Sequence, residues 1–578
     1  MINEYYEREL VRLKTYSRDF SKAYPSIAPM LGQPSSDPDV ERLLEGVAYL
    51  TAIVHQRLDD EFPELIQEVA RTLFPQFLAP IPSATIVAFS PKGKMAESVR
   101  VPKGTQVGSV PVDGTTCVFT TSQEVEVPPL RLEKVQVEQN TGKAAVIRLV
   151  FELSGPSLET WKLGNLRLFL GGGYAEASCL FHLLTQRLAS IELSAPDLSP
   201  AVLPPSALSC PSFEDENALF PLSSSTSFSA YRLFQEYFVM PTKFFFVDIA
   251  GMDRWNVSGS GTTFSLAFRL SCPLPRPLPL GPGNFVLGAS PAVNLFSIDA
   301  DPIPMDHRFR EHVIRPYALS PEHAEVYGVD SVTGTVLESG DQIAYLPFQS
   351  LMGRTLSPSE RAYRTIQRPS PVGRRMETHL GLLYEPGEDP GEQTLSVRIR
   401  ATNGSLPETL KPGEISRPLD TSPERLVFSN LTVPTAHIPP PFGEALYWRV
   451  LSQINTNFLS LADASRLRSL LGIYLFPMER NKTLEEANRR RLESIEEVHV
   501  SPESRLLRGV LMRGTRIAVR CRGDGFSDFY DLSLFAMILN EFLSVYASIN
   551  TFIALEIEDT LTGERIACPQ RMGNQPLI

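Results

Sequence analysis

The stretch from Asp37 to Pro82, DPDVERLLEGVAYLTAIVHQRLDDEFPELIQEVARTLFPQFLAPIP, constrains the fold most, because its apolar spacing commits it to rods that must be covered. Asp37 suits a helix N-cap and Pro38 the first helical position, while Asp39 and Glu41 place negative charge at the positive end of the helix dipole. Val40, Leu43, Leu44, Val47, Leu50, Ile53 or Val54, and Leu58 then recur at three- and four-residue steps. One face of a rod about 28 Å long is therefore apolar. The polar run Asp59 to Glu61 precedes Pro63, which predicts a break and a second helix with Leu65, Ile66, Val69, Leu73 and Phe74 inward. Pro75, Pro80 and Pro82 stop further winding. Upstream, Ile2, Tyr5 or Tyr6, Leu10, Leu13, Phe20 and Tyr24 mark a further amphipathic helix that ends at Tyr24-Pro25.

Past Ser83 the period changes from helical to alternating. TIVAF (85–89), SVRVPKGTQVGS (98–109), CVFTT (117–121) and VIRLVFEL (146–153) are β-branched and read as strands, with turns at Pro102-Lys103-Gly104 and Asp113-Gly114. LRLFL (166–170) reads as a strand followed by a helix over 175–188, and Tyr231 to Asp253 as a short helix, a stop at Pro241 and a buried strand. Proline-rich 195–212 and 273–282 read as extended connections. The Pro, Gly and Arg content of Leu356 to Arg375 predicts a mobile loop. Near the end come a helix in Asp531 to Ser548 and a hairpin through Asp559 to Glu564. A chain of 578 residues exceeds one ordinary core and suggests roughly three to five units. The expected class is a multidomain α+β protein, divided as 1–83 (amphipathic helices), 84–280 (β-rich with helices), 281–440 (β-rich with the mobile loop) and 441–578 (α+β). With no repeat of fixed period, a solenoid or propeller is disfavoured.

The sequence excludes more chemistry than it offers. The net charge of −12 opposes sequence-independent binding to phosphate backbones or anionic lipid over the whole surface. Six cysteines lie far apart without CxxC spacing, so they suggest neither a disulfide framework nor a zinc knuckle. Acidic Glu4, Glu7 and Glu9 stand where a signal peptide needs basic residues, and no window suits a membrane span, so the chain is expected to stay in the cytosol. No phosphate-cradling GxxxxGK[ST] loop occurs. GASPA (288–292) lacks the last glycine of a nucleophile elbow and reads as a turn. His307 and His312 are five apart, not the three or four that a metal needs on one helical face. Arg489 to Arg491 and the strand arginines Arg513, Arg516, Arg520 and Arg522 are the best basic patch. Nearby glutamates and the lack of interleaved aromatics favour a solvated face or protein interface over nucleic acid. No catalytic, cofactor or metal site emerges.

Several of these segments resemble the TssF family, also called ImpG or VasA, of bacterial type VI secretion baseplates. The resemblance is carried by YYERELVRLK (5–14), DPDVERLLEGVAYL (37–50), LDDEFPEL (58–65), FPQFLAPIPS (74–83), LFQEYFVMPTKFFFVDI (233–249), PAVNLF (291–296) and FLSVYASINTF (542–552), and it covers nearly the whole chain. It implies a non-catalytic structural subunit like a phage baseplate wedge protein. The expected partners are one TssG and a second TssF copy in the wedge, and TssK, TssE and the VgrG hub around it. It also implies a cytoplasmic position at the inner-membrane-docked baseplate, without membrane insertion or nucleic acid. A wedge subunit of a phage tail or related contractile injection system shares the architecture; a cytosolic hydrolase using Ser290 is the enzymatic alternative. Candidate interface residues are Tyr5, Tyr6, Leu10, Val40, Leu43, Leu44, Val47 and Leu50 on the helices. For that stripe intrachain core is the competing role, and for Tyr237 and Phe238, also candidates, core is the favoured one. Obligate interfaces of this kind hide roughly 2,000 to 5,000 Å² and are more apolar than ordinary surface.

Overall fold

Proline 63 does not break the second rod. A computed structural model describes residues 2–24, 38–73, 78–139, 144–160, 164–196, 198–221, 229–255, 261–305, 309–351, 361–370, 375–383, 391–441, 463–478, 481–507, 510–544, 547 and 551–573. In it Pro38–Leu73 (α2) is one helix of 36 residues, preceded by Ile2–Ala23 (α1). The physical reason is phase. Val40 and Val69 are about eight turns apart, so the two apolar stripes are a single stripe. Cooperative propagation through good helix formers on both sides carries one missing hydrogen bond. The Asp37 cap, the side chains of Leu58 to Ile66, and residues 74–77 lie outside the described residues.

The chain divides into two compact units, Met1–Leu78 with Pro441–Leu451, and Ala79–Pro440 with Ser452–Ile578. In the first, α1 packs on α2. Ala48 and Ala52, wholly buried, share a face of α2 with His55, whose Nδ1 is hydrogen-bonded to the buried Glu9 carboxylate at 2.9 Å. Small side chains on that face let the helix axes approach closely.

The second unit is built of sheets. A six-stranded sheet runs in the order Arg417–Pro418, Gln106–Val112, Thr115–Thr121, Ala289–Val293, Ala84–Pro91, Leu426–Asn430. It joins strands from both sides of residue 280. Its core holds Val87, Phe89, Val107, Phe119, Val127 and Phe428. At its centre Gly288 adopts φ +64°, and a Cβ there would meet Phe89 O at 2.4 Å, closer than any side chain tolerates. GASPA is thus not a turn: after Gly288, Ala289–Val293 is a fully buried strand, because it has ladder partners on both sides.

An eight-stranded sheet is organised around Gln393–Thr402, which pairs with Glu325–Val336, Phe296–Asp299 and Ile303–Met305. The stretch expected to be a mobile loop contains a strand. Arg361–Pro369 is a strand of this sheet, antiparallel to Met376–Leu383 and parallel to Gln342–Pro347, with Ala362, Tyr363 and Ile366 buried. Flanking prolines and arginines masked a short β-forming core, AYRTIQ. The rest of that stretch, residues 356–360 and 371–374, lies outside the described residues. Asn294 and Asn403 join the two sheets. Asn294 Nδ2 donates to Val118 O and Asn403 Oδ1, both at 2.8 Å, and its Oδ1 accepts from Asn403 N at 2.7 Å and Thr402 Oγ1 at 2.8 Å.

Three further sheets, of five, four and two strands, and the helices Tyr174–Gln186 (α3) and Ser229–Val239 (α4) complete the middle of the unit. Its C-terminal part contains Ala464–Gly472 (α5), Lys482–Glu493 (α6) and a long hairpin, Ile495–Leu507 with Val510–Cys521. The second hairpin strand pairs in parallel with Thr551–Asp559, a connection that needs a crossover, here the helix Phe529–Ser544 (α7). Helix α7 is apolar nearly all round and packs on both α3 and α4.

One contact of α7 sets an acid limit on stability. His182 on α3 is buried, with Nδ1 hydrogen-bonded to Ser533 Oγ at 2.8 Å. Burial foremost, then Arg187, lowers its pKa to about 4. Between about pH 6.5 and 4 the unfolded chain therefore binds the extra proton, so stability is full above 6.5 and falls as pH drops. His182→Gln is expected to remove roughly 2.5 kcal/mol of that acid loss, measured as the difference between variant and parent urea midpoints at pH 7 and pH 4.5.

Candidate interface

On α2 the covered and uncovered faces divide by residue size. Leu43 is 69% exposed, Leu50 64%, Val54 56% and Val47 42%. These four fall at steps of four, three and four, the spacing of a seam that takes a partner helix. Val40 and Leu44 flank the seam and are half-buried, as are Tyr5, Tyr6 and Leu10 on α1. The structure thus brings Leu43, Val47 and Leu50 together as an open apolar stripe. Tyr237 and Phe238 go elsewhere: both are wholly buried in α4, inside the second unit, and are core.

Tyr237 instead belongs to a polar node that the sequence did not reveal. Asp531, wholly buried in the first turn of α7, accepts from Arg491 Nη2 at 2.9 Å and Nε at 3.2 Å, and from Ser527 N at 3.1 Å. Its other oxygen accepts from Tyr174 Oη at 2.7 Å and Tyr237 Oη at 3.3 Å. Arg491 Nη1 donates to Asn488 Oδ1 at 2.7 Å, and Asn488 Nδ2 to Phe238 O at 2.8 Å. The guanidinium also lies near the Tyr237 and Tyr174 rings. Burial above all holds both phenols well above their usual pKa, so they stay protonated donors. Four helices are tied at one carboxylate, and every strong acceptor site on it is used. The node fastens; it has no open position for a reactant. The signal for it was spacing: Leu484, Asn488 and Arg491 share a helix face, which separates Arg491 from its solvated neighbours.

The remaining arginines of the basic patch are mostly committed to carboxylates. Arg489 pairs with Glu485 at 3.0 Å, Arg490 with Glu486 at 3.6 Å, Arg520 with Glu497 at 3.0 Å and Arg522 with Asp524 at 2.6 Å, while Arg516 pairs with Glu556. Ser290 is wholly buried, its hydroxyl bonded among the described residues to the backbone carbonyls of Gln123 and Pro291. His312 lies in a short strand, His323 bonds Thr115 Oγ1 at 2.7 Å, and His307 lies outside the described residues. Among the described residues no group of three His, Cys, Asp or Glu side chains is placed to hold a metal ion, and no helix is long and apolar enough to cross a membrane.

The model of the family "Type VI secretion system, TssF" matches residues 1–575. The chain belongs to the TssF family. It is 28% identical to the type VI secretion system component TssF1 of Pseudomonas aeruginosa, over 99% of each chain. It is similar to a chain in the cryo-electron microscopy structure of a type VI TssK-TssF-TssG baseplate subcomplex, with a TM-score of 0.79, 31% identity, and coverage of 93% of this chain and 99% of that one. A chain in a structure of the type VI secretion baseplate complex matches with a TM-score of 0.62 and 25% identity over 100% of both. Family-like motifs fall into two structural kinds. Leu233 to Ile249 and Pro291 to Phe296 build the core of the sheet unit, whereas the family-like stretch of α2 carries the open stripe.

Proposed function

We propose that this chain is a non-catalytic structural subunit of a type VI secretion baseplate. In this reading it forms a wedge with TssG and a second copy of itself, meets TssK, TssE and the VgrG hub, and sits in the cytoplasm where the baseplate docks at the inner membrane. The observation that carries the proposal is the exposed Leu43, Val47, Leu50, Val54 seam on a helix of the family-like N-terminal unit. The solved TssK-TssF-TssG subcomplex, one chain of which this chain resembles, supports TssG and TssK as partners. An apolar seam left open on a long helix is an association surface.

The test is co-purification from the native gene cluster with stoichiometry, comparing the parent with Leu43→Asp/Leu50→Asp. Both side chains are exposed, so the helix pair is expected to keep its helicity by circular dichroism. Burying a leucine contributes about 1.5–3 kcal/mol, so losing two is expected to weaken association at least about a hundredfold. A cysteine replacing Glu45 is expected to crosslink to a partner subunit in the intact assembly. Undiminished co-purification of the double variant would sink the seam as a joint.

A further inference from the structure

The long C-terminal hairpin extends past the described part of the sheet that it starts from. Ile495–Leu507 and Val510–Cys521 pair in unbroken register from Glu497↔Arg520 to Leu507↔Val510, whereas the third strand is described from Thr551, opposite Arg513. Beyond that point the hairpin strands have only each other among the described residues, and a two-stranded ribbon alone is marginal in water. The uncovered part continues the face that the base of the hairpin buries. Side chains alternate along a strand, so Leu511, Arg513, Ile517 and Val519 share one face, with Leu506 opposite Leu511. Ile517 and Val519 are 1% exposed, while Leu506 is 71% and Leu511 70% exposed. At the base, α5 and α6 pack on the first hairpin strand. Farther out, nothing described covers the leucine pair. Arg513 stands on the same face, and no carboxylate among the described residues pairs with it, unlike Arg505, which meets Glu503 at 2.6 Å.

We infer that the distal ribbon is a docking element for an amphipathic helix of a neighbouring subunit, one whose apolar face covers Leu506 and Leu511 and whose carboxylate meets Arg513. The inference rests on the assembly role proposed above. A helix is the occupant because helices already pack on this sheet's first and third strands, and a sheet face takes a helix across its pleat. The acidic group follows from charge complementarity to an exposed guanidinium beside an apolar pair. A lipid surface suits the ribbon less well, since its open strand edges carry backbone donors and acceptors that hydrocarbon cannot satisfy.

The experiment uses the full chain, alone and in the assembly co-purified from its gene cluster, with hydrogen exchange read at Arg505, Leu506, Leu511 and Met512. Exchange there is expected to be fast in the chain alone and at least tenfold slower in the assembly. Leu506→Ser/Leu511→Ser is expected to weaken assembly at least tenfold without moving the thermal midpoint of the isolated chain. Arg513→Glu is expected to weaken it in a salt-dependent way. An intact assembly with an unprotected tip would overturn this inference alone. So would a tip already protected in the isolated chain, or binding to anionic-lipid vesicles that the double serine variant abolishes. Failure of the parent chain to co-purify with any baseplate subunit would overturn the assembly role and this inference together.

Discussion

Arg491→Met is expected to lower the stability of the sheet unit by about 3–5 kcal/mol, seen as an earlier urea midpoint. The substitution removes the only cation bonded to Asp531 among the described residues and leaves that carboxylate wholly buried. Tyr174, Tyr237 and Ser527 N still donate to it, but neutral donors do not replace the counter-charge. Arg491→Lys is expected to fall between parent and methionine, since an ammonium cannot hold both carboxylate oxygens and Asn488 with one planar fork. Arg491→Met/Asp531→Leu removes both charges and is expected to recover most of the loss. If the double variant is no better than the single, the node is not held by the ion pair.

How much of this was legible depended on whether the cue was periodic or spatial. The stripes of α1 and α2 were legible because each extends over several turns, and their phase even contained the answer to Pro63. Strands such as Val146–Leu153 were plain from alternation and β-branching. Arg361–Pro369 was not, because flanking prolines and arginines outweighed its short apolar core in a composition reading. Arg491 hid for a different reason: helical spacing sets it apart from Arg489 and Arg490, but only the fold shows that it faces Asp531, 40 residues later in the chain. The candidate interface divides in the same way. Leu43 and Leu50 could be named from sequence, but whether a leucine on an amphipathic helix is covered by its own chain is decided by three-dimensional packing. Tyr237 and Phe238 show the opposite outcome for an equally apolar pair.

Glu236→Gln is expected to be the most pH-dependent lesion in the chain. Glu236 and Lys243 are both wholly buried and form an ion pair between α4 and the turn after it. Glu236 Oε1 also accepts from Leu219 N at 2.7 Å and lies 3.5 Å from Arg232 Nε. Burial lowers the Lys243 pKa to about 8, and Glu236 is the main influence raising it. Without that carboxylate the lysine is left buried beside Arg232, and its pKa moves further down. The folded variant then binds fewer protons than the unfolded chain up to the ordinary lysine range, so its stability rises with pH across that window. The expected deficit relative to the parent is about 3–5 kcal/mol at pH 7 and shrinks by about pH 8.5, above which the parent's own Lys243, with a pKa of about 8, has lost its proton too. Lys243→Met has no lysine to titrate and should lack this slope. Its deficit is expected to be the smaller, because Arg232 and the backbone amide remain on the carboxylate. Urea midpoints for both variants at pH 7, 8.5 and 10 separate the two cases, and parallel pH profiles would show that Lys243 is not the group whose charge the fold must hold.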